Sequence, residues 1–166
     1  MTFMKKLSLL IFALFLSFFA NAQEIADHAI GLRLGSNDGF GTEISYQHGL
    51  SGNNRVEIDL GWRSSNNVDA FKLTGLYQFV WEIQNNFNWY AGVGGGIGSW
   101  KYEEKFGNTK FKENGTFIFA AGDIGIEYVF DFPLLLSLDV RPELGFSKDY
   151  SDGLDLDIAL GARYTF

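Results

Sequence analysis

The sequence predicts an all-β fold: an eight-stranded antiparallel up-and-down transmembrane β-barrel. Three observations carry this. An apolar–polar alternation recurs about eight times between residue 28 and the last residue, and side chains change sides along a strand with that period. Every charge inside those segments falls on one face, together with many small residues. No segment after residue 22 shows a convincing helical period.

Residues 1–22 read as a secretory signal peptide. Lys5 and Lys6 precede an apolar run, Leu7 to Phe19, broken only by Ser8 and Ser17, and Ala20-Asn21-Ala22 is a small-x-small cleavage site. The run falls short of the ~20 residues a membrane-spanning helix needs. Cleavage near Ala22 leaves 23–166 as one barrel domain.

The strands follow in order. The first, 28–36, sets Ile30, Leu32 and Leu34 against Arg33. The second, 40–48, sets Thr42, Ile44 and Tyr46 against Glu43, Ser45 and Gln47. The third, 54–63, sets Val56, Ile58, Leu60 and Trp62 against Arg55, Glu57, Asp59 and Arg63. The fourth, 70–81, sets Phe71, Leu73, Tyr77, Phe79 and Trp81 against Lys72, Thr74 and Gln78. In the fifth, 88–100, Trp89, Ala91, Val93 and Ile97 oppose Gly92, Gly94, Gly96 and Gly98. In the sixth, 116–128, Ile118, Ala120, Ile124, Ile126 and Tyr128 oppose Asp123, Gly125 and Glu127. In the seventh, 134–146, Leu136, Leu138, Val140 and Leu144 oppose Ser137, Asp139, Arg141, Glu143 and Gly145. The eighth, 154–166, alternates Leu154, Leu156, Ile158, Leu160, Ala162, Tyr164 and Phe166 with Asp155, Asp157, Ala159, Gly161, Arg163 and Thr165. Most connections are rich in Gly, Asn, Asp and Ser, as turns require. Pro142 donates no ladder hydrogen bond, so a bulge or an outward rim position is expected there.

Alternation alone leaves two orientations open. A soluble lipocalin-like barrel turns its apolar face inward. A membrane barrel turns it outward, because Arg or Lys facing mid-bilayer lipid costs roughly 2–4 kcal/mol. The charged face here also carries Gly92, Gly94, Gly96, Gly98, Ala121, Gly125, Gly145, Ala159 and Gly161. Small residues suit the crowded interior of an eight-stranded barrel, which side chains just fill. The aromatics fall toward strand ends. Tyr46, Phe79, Trp81, Trp89, Tyr128, Tyr164 and Phe166 approach one rim, and Phe40, Trp62, Phe71, Phe117 and Phe146 the other. Trp62, Trp81, Trp89 and Tyr128 are the foremost membrane-interface candidates.

The terminal segment LDLDIALGARYTF resembles the C-terminal recognition strand of Gram-negative outer-membrane barrel proteins, which ends in Phe with apolar residues alternating upstream. The mature chain as a whole resembles the small eight-stranded OmpX/OmpA-type barrels, and Arg141-Pro142-Glu143 looks like a triplet that recurs among them. The resemblance implies residence in the outer membrane, among its lipids and lipopolysaccharide. It also implies insertion by the barrel-assembly machinery, with Leu160, Tyr164 and Phe166 as the insertion signal. A periplasmic peptidoglycan-binding domain is not expected.

Inside such a barrel, charges must pair. Arg55, Glu57, Asp59, Arg141, Glu143, Asp157 and Arg163 are the candidates for a lumen ion-pair network that plugs the core; a narrow ion- or solute-conducting pore is the alternative. The segment 101–115 either extends strands five and six as a hairpin beyond the membrane or is a solvated loop. As a hairpin its edge can capture an extracellular protein by strand addition.

Other chemistries find little support. The net charge of −7 argues against a nucleic-acid partner. With no Cys, there is no disulfide, thiolate metal site, thiol nucleophile or lipoprotein anchor. His28 and His48 stand in no catalytic or metal-ligand spacing and read as interfacial polar residues. Gly92 to Ile97 lacks the third glycine of a dinucleotide fingerprint, and Asp149 to Gly153 lacks the spaced ligands of a calcium loop. No enzyme activity, metal or cofactor is expected. The leading reading is a structural or adhesive surface barrel, followed by the narrow pore and then the soluble periplasmic binder.

Overall fold

The computed structural model describes residues 25–36, 41–64, 68–106, 109–146 and 153–166. The leader 1–22, Phe40 and the segment 149–152 lie outside them. Eight strands form one closed barrel in chain order: β1 His28–Gly35, β2 Thr42–Gly49, β3 Asn54–Ser64, β4 Val68–Gln84, β5 Phe87–Phe106, β6 Thr109–Val129, β7 Leu135–Gly145 and β8 Leu154–Thr165. Each strand runs antiparallel to the next, and β8 closes on β1 with Ile30 opposite Tyr164 and Leu34 opposite Leu160. Closure leaves the membrane-depth backbone without an open sheet edge.

The apolar face points out. Leu32, Ile58, Leu60, Ile97, Ile124, Leu138 and Leu160 are exposed, whereas Arg33, Glu57, Asp59, Lys72, Asp139, Arg141 and Arg163 are buried inside. Along β1, β2, β3, β7 and β8, every outward position is free of Asp, Glu, Lys and Arg. The lipocalin-like orientation, apolar in and charged out, is therefore not the one adopted.

Strand lengths are unequal. β1 and β2 have 8 residues each, while β5 and β6 have 20 and 21. A tilted strand needs about 9–11 residues to cross a bilayer, so β5 and β6 overshoot by roughly one further crossing length. The overshoot is the segment 101–115. It continues the antiparallel ladder, Lys101 opposite Asn114 and Phe106 opposite Thr109, so the backbone is a hairpin and not an irregular loop. It stands at the end opposite both termini. At the terminal end, β4 and β5 meet in a tight turn at Asn85-Asn86, with Asn85 at φ 50. Asn is among the few non-glycine residues that take this left-handed conformation readily.

Pro142 produces no register shift; of the bulge and the outward rim position expected for it, the bulge is absent and the residue lies on the outward face, three residues before the end of β7. Both Ala121–Glu143 and Ile124–Val140 keep the same β6–β7 register. Pro142 faces outward, with its ring against Gly122, where an added Cβ would meet the Pro142 Cγ at 3.1 Å. The missing donor is accommodated by a gap in the β6–β7 ladder, and the partner offers a bare glycine.

Candidate functional site

The lumen gathers side chains from all eight strands, because alternate residues of each strand face the axis. Arg33 on β1 is one hub. Its Nη1 donates to Glu43 Oε2 at 3.0 Å and Asp157 Oδ2 at 2.6 Å, and its Nη2 to Asp139 Oδ1 at 2.5 Å. Arg141 on β7 is the second. It donates to Glu43 at 3.1 Å, Glu57 at 3.2 Å and Asp59 at 2.5 Å. Arg163 reaches Glu57 at 3.2 Å and the hydroxyls of Ser45 and Ser137, both at 2.8 Å. Lys72 donates to Glu143 at 2.9 Å and lies 3.5 Å from Glu43. Glu43 is thus shared by Arg33, Arg141 and Lys72.

Toward the terminal end a second set forms around Arg55. It donates to Glu127 at 2.7 Å and Gln78 Oε1 at 2.6 Å, and lies over the Tyr90 ring at 4.7 Å. Gln47 donates to Glu57 at 2.5 Å, Asn88 to Glu127 at 3.1 Å, and Gln78 to Asp123. A cavity of about 50 Å³ lies beside Arg55, Gln47, Asn88 and Glu127, with Ile25 and Ala26 on its wall. Each of these buried charged groups has at least one polar partner at close range, as low-dielectric burial demands.

All seven residues chosen from sequence for the network, Arg55, Glu57, Asp59, Arg141, Glu143, Asp157 and Arg163, lie buried in the lumen. They do not bond only among themselves. Asp157 pairs with Arg33, Glu143 with Lys72, and Arg55 with Glu127. Arg33, Glu43, Lys72, Asp123, Glu127 and Asp139 share that face by alternation and complete the network beyond those seven. Their common signal was polar-face parity. Which of them meet depends on cross-barrel proximity, which one-dimensional spacing does not carry.

Above the charged layers sits an apolar one. Leu76, Phe117, Phe119 and Ala121 form a buried cluster, with Ala70 and Trp100 against it. Phe117 corrects the assignment made from sequence. Placed at the outer rim by its position near a strand end, it is 1 % exposed and faces the axis. The reason is parity: Ile118 points to lipid, so Phe117 cannot. The glycines of β5 make the room. A Cβ on Gly98 would stand 2.2 Å from the Phe117 ring, and one on Gly96 2.4 Å from the Phe119 ring.

The other interface aromatics project outward or line the rims. Trp62 and Phe71 are half exposed near the hairpin end, with Phe146. At the terminal end, Trp81 stacks on Trp89 at 4.3 Å and on Phe79 at 6.0 Å, while Tyr128 meets Phe87 at 5.2 Å and Phe130 at 4.7 Å. Leu160, Tyr164 and Phe166 lie on the outward face of β8, each exposed.

A closed eight-stranded antiparallel barrel with a polar interior and an apolar exterior is the fold of the small outer-membrane β-barrels. The chain is similar in structure to the N-terminal β-barrel domain of Pseudomonas aeruginosa OprF, with a TM-score of 0.60 at 12% identity, covering 84% of this chain and 96% of that one. It is equally similar to Neisserial surface protein A, with a TM-score of 0.60 at 12% identity over 84% of this chain and 94% of that one. Ail, the attachment invasion locus protein of Yersinia pestis, matches with a TM-score of 0.52 at 19% identity, covering 84% and 96%. No family model matches the sequence, and no curated protein matches it either.

Proposed function

We propose that the protein is an integral outer-membrane barrel of a Gram-negative cell that acts as a structural and adhesive surface protein, not as an enzyme. Its lumen is plugged, and its hairpin offers the binding edge. The observation that carries this reading is the mismatch between β6 and β7. β7 ends at Gly145, opposite Phe119, while β6 runs on to Thr109. Among the described residues no strand pairs with that extension on its β7 side. An exposed strand edge of this kind accepts an extended segment of another protein through main-chain hydrogen bonds.

The barrel is held in lipid by its apolar belt and aromatic rims. The assembly machinery reads Leu160, Tyr164 and Phe166, and the outer face meets outer-membrane lipid and lipopolysaccharide. Two layers across the lumen support a plugged core: the ion pairs about Arg33 and Arg141 and the Leu76–Phe117–Phe119 cluster. Among the described residues, eight buried carboxylates, Glu43, Glu57, Asp59, Asp123, Glu127, Asp139, Glu143 and Asp157, face five buried cations, Arg33, Arg55, Lys72, Arg141 and Arg163. That imbalance favours a cation-preferring path as the second reading.

Two measurements test the proposal. Cells displaying a variant lacking residues 102–113 are expected to keep a heat-modifiable barrel in the outer-membrane fraction while losing surface binding; retained binding overturns the adhesive role. In planar bilayers the intact protein is expected to give no unitary steps. Steps that vanish on changing Arg141 would establish the pore instead.

A further inference from the structure

His28 and His48 are separated by 20 positions in sequence but face each other across β1 and β2. Both the N–H and the C=O of His28 are bonded to Phe166, the residue following β8, at 3.2 and 2.9 Å. On the β2 side His28 and His48 therefore form a non-hydrogen-bonded pair, the type in which facing side chains stand closest. The rings stack with centroids 4.9 Å apart, and Nδ1 of one lies 3.3 Å from Nδ1 of the other.

That separation has a chemical meaning. Two imidazole nitrogens at about 2.0–2.1 Å from one tetrahedral zinc ion stand about 3.3–3.4 Å apart. The Asp27 carbonyl oxygen is 3.1 Å from His48 Nδ1. It accepts the Gly49 N–H at 2.9 Å and the His48 Nδ1–H; metal binding at Nδ1 moves that proton to Nε2 and frees the second carbonyl lone pair. The Tyr46 hydroxyl lies 2.8 Å from His28 Nδ1. Among the described residues no three His, Asp or Glu side chains converge, so a third side-chain ligand is absent. The oxygen donors on hand are a carbonyl, a phenol and water. The site is at the terminal rim: His48 is exposed, His28 half-buried and Phe166 exposed beside them, so an ion enters from solvent without crossing lipid.

We propose that the His28–His48 pair binds a divalent transition-metal cation through both Nδ1 atoms, with the Asp27 carbonyl and water completing the shell. Nitrogen donors select zinc, nickel and copper over magnesium and calcium, with copper tightest of the first-row ions. The bound ion ties β1 to β2 next to the seam where β1 closes on β8. It thereby stabilises the barrel beside its closing seam.

The test uses the mature chain refolded in detergent micelles without any histidine tag. Calorimetric titration with zinc and with copper is expected to show one saturable site, tighter for copper, with magnesium giving none. Zinc is expected to raise the thermal unfolding midpoint. His48→Gln is expected to weaken binding at least tenfold and abolish the shift, with heat-modifiable gel mobility unchanged. Electron paramagnetic resonance of the copper-loaded native protein gives a readout independent of any variant, and two nitrogen ligands are expected. Absence of saturable binding, equal affinity in His48→Gln, or a spectrum with fewer than two nitrogens overturns the proposal.

Discussion

Arg33 illustrates how a single buried charge organises the interior. It bonds Glu43, Asp139 and Asp157, from three other strands. Arg33→Met keeps most of the volume but leaves carboxylates without their cation in a low dielectric. Breaking a buried pair from one side costs about 3–5 kcal/mol. The denaturant midpoint of the refolded variant is expected to fall accordingly; a change under about 1 kcal/mol would place it with exposed ion pairs. Lys112–Glu103 on the hairpin is such an exposed pair, at 2.7 Å with both side chains more than half exposed. At this scale the sequence told which side chains go inside, but not their partners. Arg33 stood on the polar face from the start, yet Asp139 is 106 positions away and meets it only because β1 and β7 face one lumen.

At the scale of elements, alternation located all eight strands, because a half-buried strand writes its period directly into composition. It was weakest at the ends. The fourth strand, read as 70–81, runs from Val68 to Gln84, and the long pair β5–β6 takes in residues 101–106 and 109–115 of the charged segment. Lys101, Glu103, Lys112 and Glu113 on the hairpin are exposed, so they carry no burial signal. The Asn85-Asn86 turn is an element whose chemistry is local. Asn85 holds φ 50, so Asn85→Gly is expected to be neutral or slightly stabilising. Asn85→Ala is expected to destabilise by about 1 kcal/mol, the cost of a left-handed residue with a Cβ and no side-chain hydrogen bond. Equilibrium unfolding of the two variants side by side measures the difference.

For the whole molecule the decisive property is orientation. Leu60 sits mid-strand on β3, opposite Ile44 and Leu73, and faces outward. Leu60→Arg is expected to cost about 2–4 kcal/mol in a bilayer, read as a lowered unfolding midpoint in vesicles. Asp59, one residue earlier, already carries a charge inward and is satisfied by Arg141 at 2.5 Å. The contrast between neighbours arises because one faces hydrocarbon and the other a network. The hairpin adds an asymmetry: the end distant from the termini projects, while the terminal end is finished by short turns and stacked aromatic rings.

The amino-acid order alone determined the strand count, the two faces and the all-β class, since each of these is a period or a parity within a short stretch of chain. Proximity across the barrel was settled only on closure. Closure brought Arg33 to Asp139, while the register of neighbouring strands set the Phe117 and Phe119 rings over the β5 glycines and placed His28 against His48. Those contacts depend on strand register and barrel curvature, which arise from the joint packing of all eight strands and leave no trace in any one of them.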